Sequence, residues 1–391
     1  MNDNQPTDEI DRRTALSLLA AVVAGGVILS DSSAQAAESL PENNEIPQPG
    51  NFPTKPGNYL AGELVTTDAI NRRGGLRLDG DFNDDRYDKA QPHDFAMLPY
   101  GMIYYHGAPA ELRDIPLGTH LHGSFYLPPK GEENTIPPTK GPPQYGSKFN
   151  HAILLEDDFS FFQRRGQAWE VVEVNREKGR MKVATSGKTA GAHIEAEQTF
   201  WIDDATRVWK GKSSAEWTAL AAEKVVQLNL TWSPEWRNRQ FRASDVWIDE
   251  ESRAVATERQ RRIHVRYQKH HWLAGWVDHV EHLGGSQGIV TITLFDSVDS
   301  SLLEEVKSKK AHGNAVAAAE ATLRTYWQDH DHKGGSIVEW KTLDKPPAGS
   351  SGIQIRWQTG ELLDGFRPGR IVRLRCHDWP NIKLPPEERL R

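Results

Sequence analysis

The chain has a single cysteine, Cys376, among 391 residues. A disulfide framework within one molecule is therefore excluded, and its cores must hold by burial alone. Positive charge is not in excess either. The net charge of −7 gives no sign of the basic domain that a nucleic-acid binder presents. Long apolar runs are missing as well: the most apolar stretch, Ala15 to Leu29, is shorter than the ~20 residues of a membrane-spanning helix. Tryptophan is absent from the first 168 residues, and all thirteen lie at or after Trp169.

What is present begins with an address. Arg12 and Arg13 precede the apolar stretch, and Ala34-Gln35-Ala36 follows it with the small-x-small pattern of a cleavage site. This is the layout of an export signal. The run Asp11-Arg12-Arg13-Thr14-Ala15-Leu16 resembles the twin-arginine class of bacterial signals, with Ala15 where that class usually has phenylalanine. The resemblance implies recognition by the twin-arginine export machinery, cleavage after Ala36, and a periplasmic or cell-envelope destination without a membrane span. Retention as an uncleaved anchor stays open. Residues 1–36 carry five acids and two arginines, so their removal moves the net charge from −7 to −4.

The rest of the chain contains a repeat. The segment from Phe95 to Leu127 and that from Phe200 to Trp232 are both 33 residues long. Each opens on Phe and an apolar position, reaches an aromatic (Tyr104; Trp209) before a Gly turn, makes an apolar step (Leu112, Ile115; Trp217, Leu220) and ends in an alternating strand. Upstream of each lies a hairpin pattern, near 62–78 and 169–183, with alternating apolar residues around a Gly-containing turn. A third copy is split: its opening hairpin is 274–295 and its closing element 362–376, with Leu363, Phe366 and Gly369 spaced like Leu112, Ile115 and Gly118.

Repetition at this spacing predicts tandem modules. The expected fold is mainly β, mixed α+β in the C-terminal half. It consists of small modules that resemble OB-like or other Greek-key barrels of exported bacterial proteins, with inserted helices. The expected boundaries are a signal at 1–36, a linker at 37–60, a first barrel at 61–128 and a proline-rich connector at 129–147. A second barrel at 148–236, a helical connector at 237–273, a third barrel at 274–380 with a helical insertion near 301–328, and a tail at 381–391 complete the chain.

The candidate chemistry is sparse. His120 and His122 sit two apart in an expected strand, a spacing that puts both imidazoles on one face as strand-borne metal ligands require. Val225 and Gln227 occupy the same places in the second copy, so a plain strand explains the pattern as well. His279 and His282, with His270, His271, His330 and His332 nearby, extend the candidate metal set, for which copper or zinc suits imidazole and carboxylate donors. "EDDF" at 156–159 reads as a solvated turn. "KVATSGKTAG" has Lys182 where a P-loop requires its first glycine. Among the tryptophans, Trp201, Trp209, Trp340 and Trp357 are candidate stacking platforms for a saccharide, core filling being the alternative. The arginine-rich stretch around Arg259, Arg261, Arg262 and Arg266 reads as a helix docked by its aromatic side. These readings favour a non-catalytic binding or scaffolding protein of the envelope, without a cofactor, whose ligand is a polysaccharide or an envelope protein. The alternative is a histidine-based metalloprotein, a copper or zinc binding protein or redox enzyme.

Overall fold

The computed structural model describes residues 52, 57–79, 92–126, 150–187, 197–232, 241–308, 321–325 and 332–379. Arg12, Arg13 and Ala36, the connector 129–147, His330 and the tail 381–391 lie outside them.

The first barrel comprises β1 (Asn58–Asp68), β2 (Arg73–Leu78), β3 (His93–Tyr105), β4 (Ala108–Pro109), β5 (His120–Tyr126) and β6 (Asn150–Asp157). The ring runs β1-β2-β3-β6-β5 and returns to β1, with β3 and β6 parallel and the other pairs antiparallel. The second barrel repeats it with β7 (Gln167–Asn175), β8 (Arg180–Gly187), β9 (Glu197–Trp201), β12 (Val225–Trp232) and β13 (Phe241–Trp247). Its ring is β7-β8-β9-β13-β12, again with one parallel pair, β9 to β13. A small hairpin of β10 (Arg207–Lys210) and β11 (Ser213–Ala215) extends along β13, as the end of β3 with β4 extends along β6. Both rings have the strand order of an OB-like barrel.

The third barrel is closed by six strands in the order β14-β15-β18-β17-β16-β19. They are β14 (Leu273–Gly284), β15 (Gln287–Phe295), β16 (Ala321–Thr325), β17 (His332–Thr342), β18 (Ser350–Thr359) and β19 (Ile371–Cys376). Here β16 and β17 together occupy the place that β6 and β13 fill in the other two rings. The split of the third copy is therefore real: the insertion is part of its wall.

One backbone clamp recurs in all three barrels. Leu64 N–H donates to Thr119 O and Gly118 N–H to Leu64 O. Val171 does the same with Lys224 and Glu223, and Val277 with Arg370 and Gly369. The first strand slips register at that point each time, after Leu64, Val171 and Val277, because a bulge there bends the strand around the barrel corner. The three clamping residues Gly118, Glu223 and Gly369 all have positive φ, at 88°, 67° and 78°. Before each clamp a tight turn plugs the barrel end with Leu112 and Ile115, with Leu220, or with Phe366, all buried.

Helices α1 (Asp158–Arg164) and α2 (Glu250–His271) join consecutive barrels, and α3 (Ser300–Lys307) lies within the third. Helix α2 has an Asp249 N-cap, acids in its first turn and Lys269 in its last, matching the helix dipole at both ends. Its buried face is polar: Ser252, Gln260, His264 and Gln268. Gln260 donates to Pro109 O and Asp114 in the first barrel, while His264 and Gln268 bond Ser297 O beside the third. The helix docks by amides and an imidazole, and its aromatic Tyr267 also packs under Arg113 of the first barrel. Behind it the first and third barrels meet through Tyr100, Trp276 and Phe295, whose rings pack edge to face.

Three expected boundaries need correction. The first barrel does not close at 128, because its last strand, β6, is supplied by 150–157 from beyond the proline-rich segment. The span 237–273 is not only a helical connector, since it begins with β13, the last strand of the second barrel. Within 301–328 only α3 is helical among the described residues. Residues 321–325 form β16, whose Ala321 and Leu323 are buried in the wall of the third barrel.

Candidate functional site

The two ends of the first barrel's repeat meet the second barrel at two places. At the first, β5 places His120 and His122 on one face, as the spacing predicts. His120 Nδ1 and His122 Nε2 both reach Asp158 Oδ1, at 2.8 and 3.0 Å. The outer nitrogens are also engaged: His120 Nε2 lies 3.0 Å from Asp79 Oδ2, and His122 Nδ1 lies 2.7 Å from the Tyr59 hydroxyl. Phe161 stacks on His122 at 3.7 Å, and Phe241 from the second barrel covers His120. Asp158 Oδ2 accepts from Leu230 N–H of β12, so the cluster lies at the junction of two barrels.

Burial opposes charge on His120, but Asp158 and Asp79 outweigh it and hold the ring well above its ordinary value. His122 is pushed down by burial. For Asp158 burial acts upward, yet the two imidazoles prevail and hold its carboxyl below the usual range. The neighbouring Asp157 goes the other way, raised by burial to about 6, while it caps α1 and accepts from His106 N–H and Asn229 Nδ2.

"EDDF" is thus not a solvated turn. Glu156, Asp157 and Asp158 are 2%, 0% and 1% exposed, because the strand runs straight into a helix at the barrel junction. The remaining histidines do not join this group. His279 and His282 pair with Thr291 and Gly288 on the exposed outer part of β14. Among the described residues the one cluster with ligand atoms within 4.8 Å is His120, His122 and Asp158. The four-histidine metal set fails, since its members sit on different barrels.

The tryptophan set divides. Trp357 is 0% exposed in the third core and donates to Ala321 O, so no ligand reaches it. Trp340 is exposed, under Lys307. Trp201 is half-buried and faces Arg180. Trp209 lines a cavity.

That cavity is the second place of meeting. It is a cleft of ≈ 380 Å³ between the first barrel, the second barrel and α2, with Tyr105, Trp209, Trp247 and Ile263 among its apolar walls and Arg207, Lys212 and Arg259 among its cations. It adjoins a more polar cavity of ≈ 280 Å³, and Tyr105, Pro116, Arg207 and Asp245 line both. The two together make a groove. Its sides are repeat-related turns. His106 N–H donates to the α1 N-cap Asp157, and Gly211 N–H donates to the α2 N-cap Asp249. These two residues share a φ near 54°: 53° and 55°. A histidine thus holds the left-handed position that glycine fills in the second copy, a conformation that costs a non-glycine residue about 1–2 kcal/mol. The His106 ring is kept neutral, lowered by burial to about 4, and its Nε2 is buried without a hydrogen-bond partner.

Sequence reasoning missed Tyr105, His106, Arg207 and Asp245. The repeat did align the two turns, but only the structure shows that they face each other. The spacing G-x-S-x-G at Gly284–Gly288 is no nucleophile elbow, which needs a strand-to-helix turn. It turns the β14–β15 hairpin, and the Ser286 hydroxyl donates to Gly360 O.

No family model, curated protein or solved structure matches the chain.

Proposed function

We propose that this chain is a non-catalytic binding protein of the bacterial cell envelope, and that its ligand is an anionic polysaccharide segment held in the groove between the first two barrels. One observation carries the reading: two repeat-related turns converge on an apolar cleft that also presents several guanidinium and ammonium groups. The volume lies in the range of ligand pockets, which combine an apolar lining with a few placed polar groups. Aromatic faces suit the C–H faces of sugars, and arginine's planar fork suits carboxylate or sulfate. The linked second cavity extends the groove past Arg207, which favours an oligomer over a single small molecule. Arg207 keeps donors for a ligand although one of its nitrogens bonds Asp245 at 2.6 Å.

The compartment rests on Arg12, Arg13 and Ala36, with the twin-arginine machinery as the transient partner. No helix among the described residues is long and apolar enough to cross a membrane. Titration of the mature chain, from Ala37, with uronic-acid and neutral oligosaccharides tests the ligand. Binding of the acidic series is expected, with Trp209→Ala and Arg259→Ala each weakening it roughly tenfold or more. Equal affinity of both variants and wild type would remove the groove from the reading. Absence of any saccharide binding by the wild type would remove the ligand class.

A further inference from the structure

The His120–His122–Asp158 cluster has features that a hydrogen-bonded support does not need. Two imidazole nitrogens and one carboxylate oxygen lie within 4.8 Å of one another, close enough to share one ion. The far nitrogen of each ring is held from behind, by Asp79 for His120 and by Tyr59 for His122. Metal-ligating histidines are held in this way, with one nitrogen turned inward and the other oriented by a carboxylate or hydroxyl. Tyr59 additionally lies over the His122 ring, and Phe161 packs on it with an interplanar angle of 14°, so the inward direction of His122 is set by packing as well.

Charge supplies an independent argument. Asp158 and Asp79 bring two carboxylates into a site whose side chains are 1% and 10% exposed. A proton on one imidazole leaves the group one negative charge in excess, and buried charge is costly unless paired. A divalent cation held by two neutral imidazoles and Asp158, with Asp79 behind, leaves no excess. Asp79 also has an oxygen, Oδ1, that is buried and lacks a hydrogen-bond partner, an unmet capacity on the acidic side of the cluster.

We infer that His120 Nδ1, His122 Nε2 and an Asp158 oxygen form a binding site for one divalent transition-metal ion of the zinc type, with Asp79 and Tyr59 orienting the two histidines. Two nitrogens and one oxygen are a donor set suited to zinc or copper and ill suited to calcium or magnesium, which take oxygen ligands. The site is distinct from the groove, and it ties β5 to α1. Because Asp158 Oδ2 also accepts from Leu230 N–H, an ion here joins the first barrel to the second. Its expected role is to brace that junction.

The test uses the untagged mature chain, stripped with a chelator and shown to remain folded by circular dichroism. It is then given zinc or copper and passed through a desalting column. Retention of about one equivalent and a rise in melting temperature are expected, with calcium and magnesium giving neither. X-ray absorption of the loaded protein should show two imidazole nitrogens. Asp158→Asn and His122→Gln should lose retention, Asp79→Asn should weaken it by about 10- to 100-fold, and His279→Gln should leave it unchanged. Should the folded wild type retain neither metal and keep its melting temperature, the cluster is a hydrogen-bonded knot and the inference fails. Retention that survives both Asp158→Asn and His122→Gln would place the ion elsewhere and overturn it equally.

Discussion

Trp340 and Trp357 come from adjacent strands, β17 and β18, yet one ring faces solvent and the other fills the core of the third barrel. Both belong to alternating patterns, and alternation says that two faces exist without saying which is inside. The difference has a measurable size. Trp357→Ala removes a fully buried ring and should cost about 3–5 kcal/mol in a denaturant titration, whereas Trp340→Ala should stay within about 1 kcal/mol. Equal losses would mean that the ring assigned to the core is not there. The histidines show the same limit of local pattern. The i, i+2 spacing of His120 and His122 correctly put both rings on one face. Nothing in the neighbouring residues revealed that Asp158, 36 positions away from His122, would meet them. The acidic run that contains it reads as surface because three adjacent acids rarely lie inside a protein.

Among the elements, the clamp at the bulge of each first strand is the most regular device in the molecule. Two of its three left-handed positions are glycine, and the third is Glu223, which is exposed. A side chain there brings strain without burial in return. Glu223→Gly should therefore stabilise the chain by about 0.5–1 kcal/mol, and Gly118→Ala should destabilise it by about 1–2 kcal/mol. Chemical denaturation of both variants checks the pair; a loss of stability in Glu223→Gly would show that the clamp does not strain that residue. The repeat was legible at this scale because hairpins, apolar steps and turn glycines recur at fixed offsets. Its closing strands were not. Strand β6 follows a proline-rich segment, and β13 precedes a long helix, so each was assigned to its neighbour in sequence. Helix α2 was legible from its helix-forming residues and its lack of proline and glycine, but not in orientation. Its docking face is made of glutamine, serine and histidine, which hydropathy reads as surface.

For the whole molecule, the barrels share buried polar groups and not only apolar contacts. Asn229 of the second barrel accepts from Phe159 N–H and donates to Asp157, so separating the barrels strands buried donors and acceptors. Buried histidines make the assembly sensitive to acid. His271 is lowered to about 3 by burial, with Arg373, His270, Arg113 and Arg324 adding to it; His93 is lowered by burial to about 4. An unfolded chain takes up protons near pH 6.5 that these folded rings refuse, so their contribution to stability falls as the pH drops from about 6.5 toward those values. Asp157, raised to about 6, acts in the opposite sense over its own range. In melting curves between pH 7 and pH 4, His271→Gln should reduce the dependence on pH relative to wild type. An unchanged slope would mean that the folded ring takes up its proton as readily as the unfolded one.

The insertion in the third barrel bears on how the chain reaches its final form. Strand β14 cannot be flanked on both sides until β19 arrives, and the pairing of Leu273 with Leu374 closes a loop of about a hundred residues. Contacts so distant in sequence form late and slowly. Newly made chains should thus pass through a stage in which two barrels are shut and the third is an open sheet with a free edge, the form most prone to pair with another copy of itself.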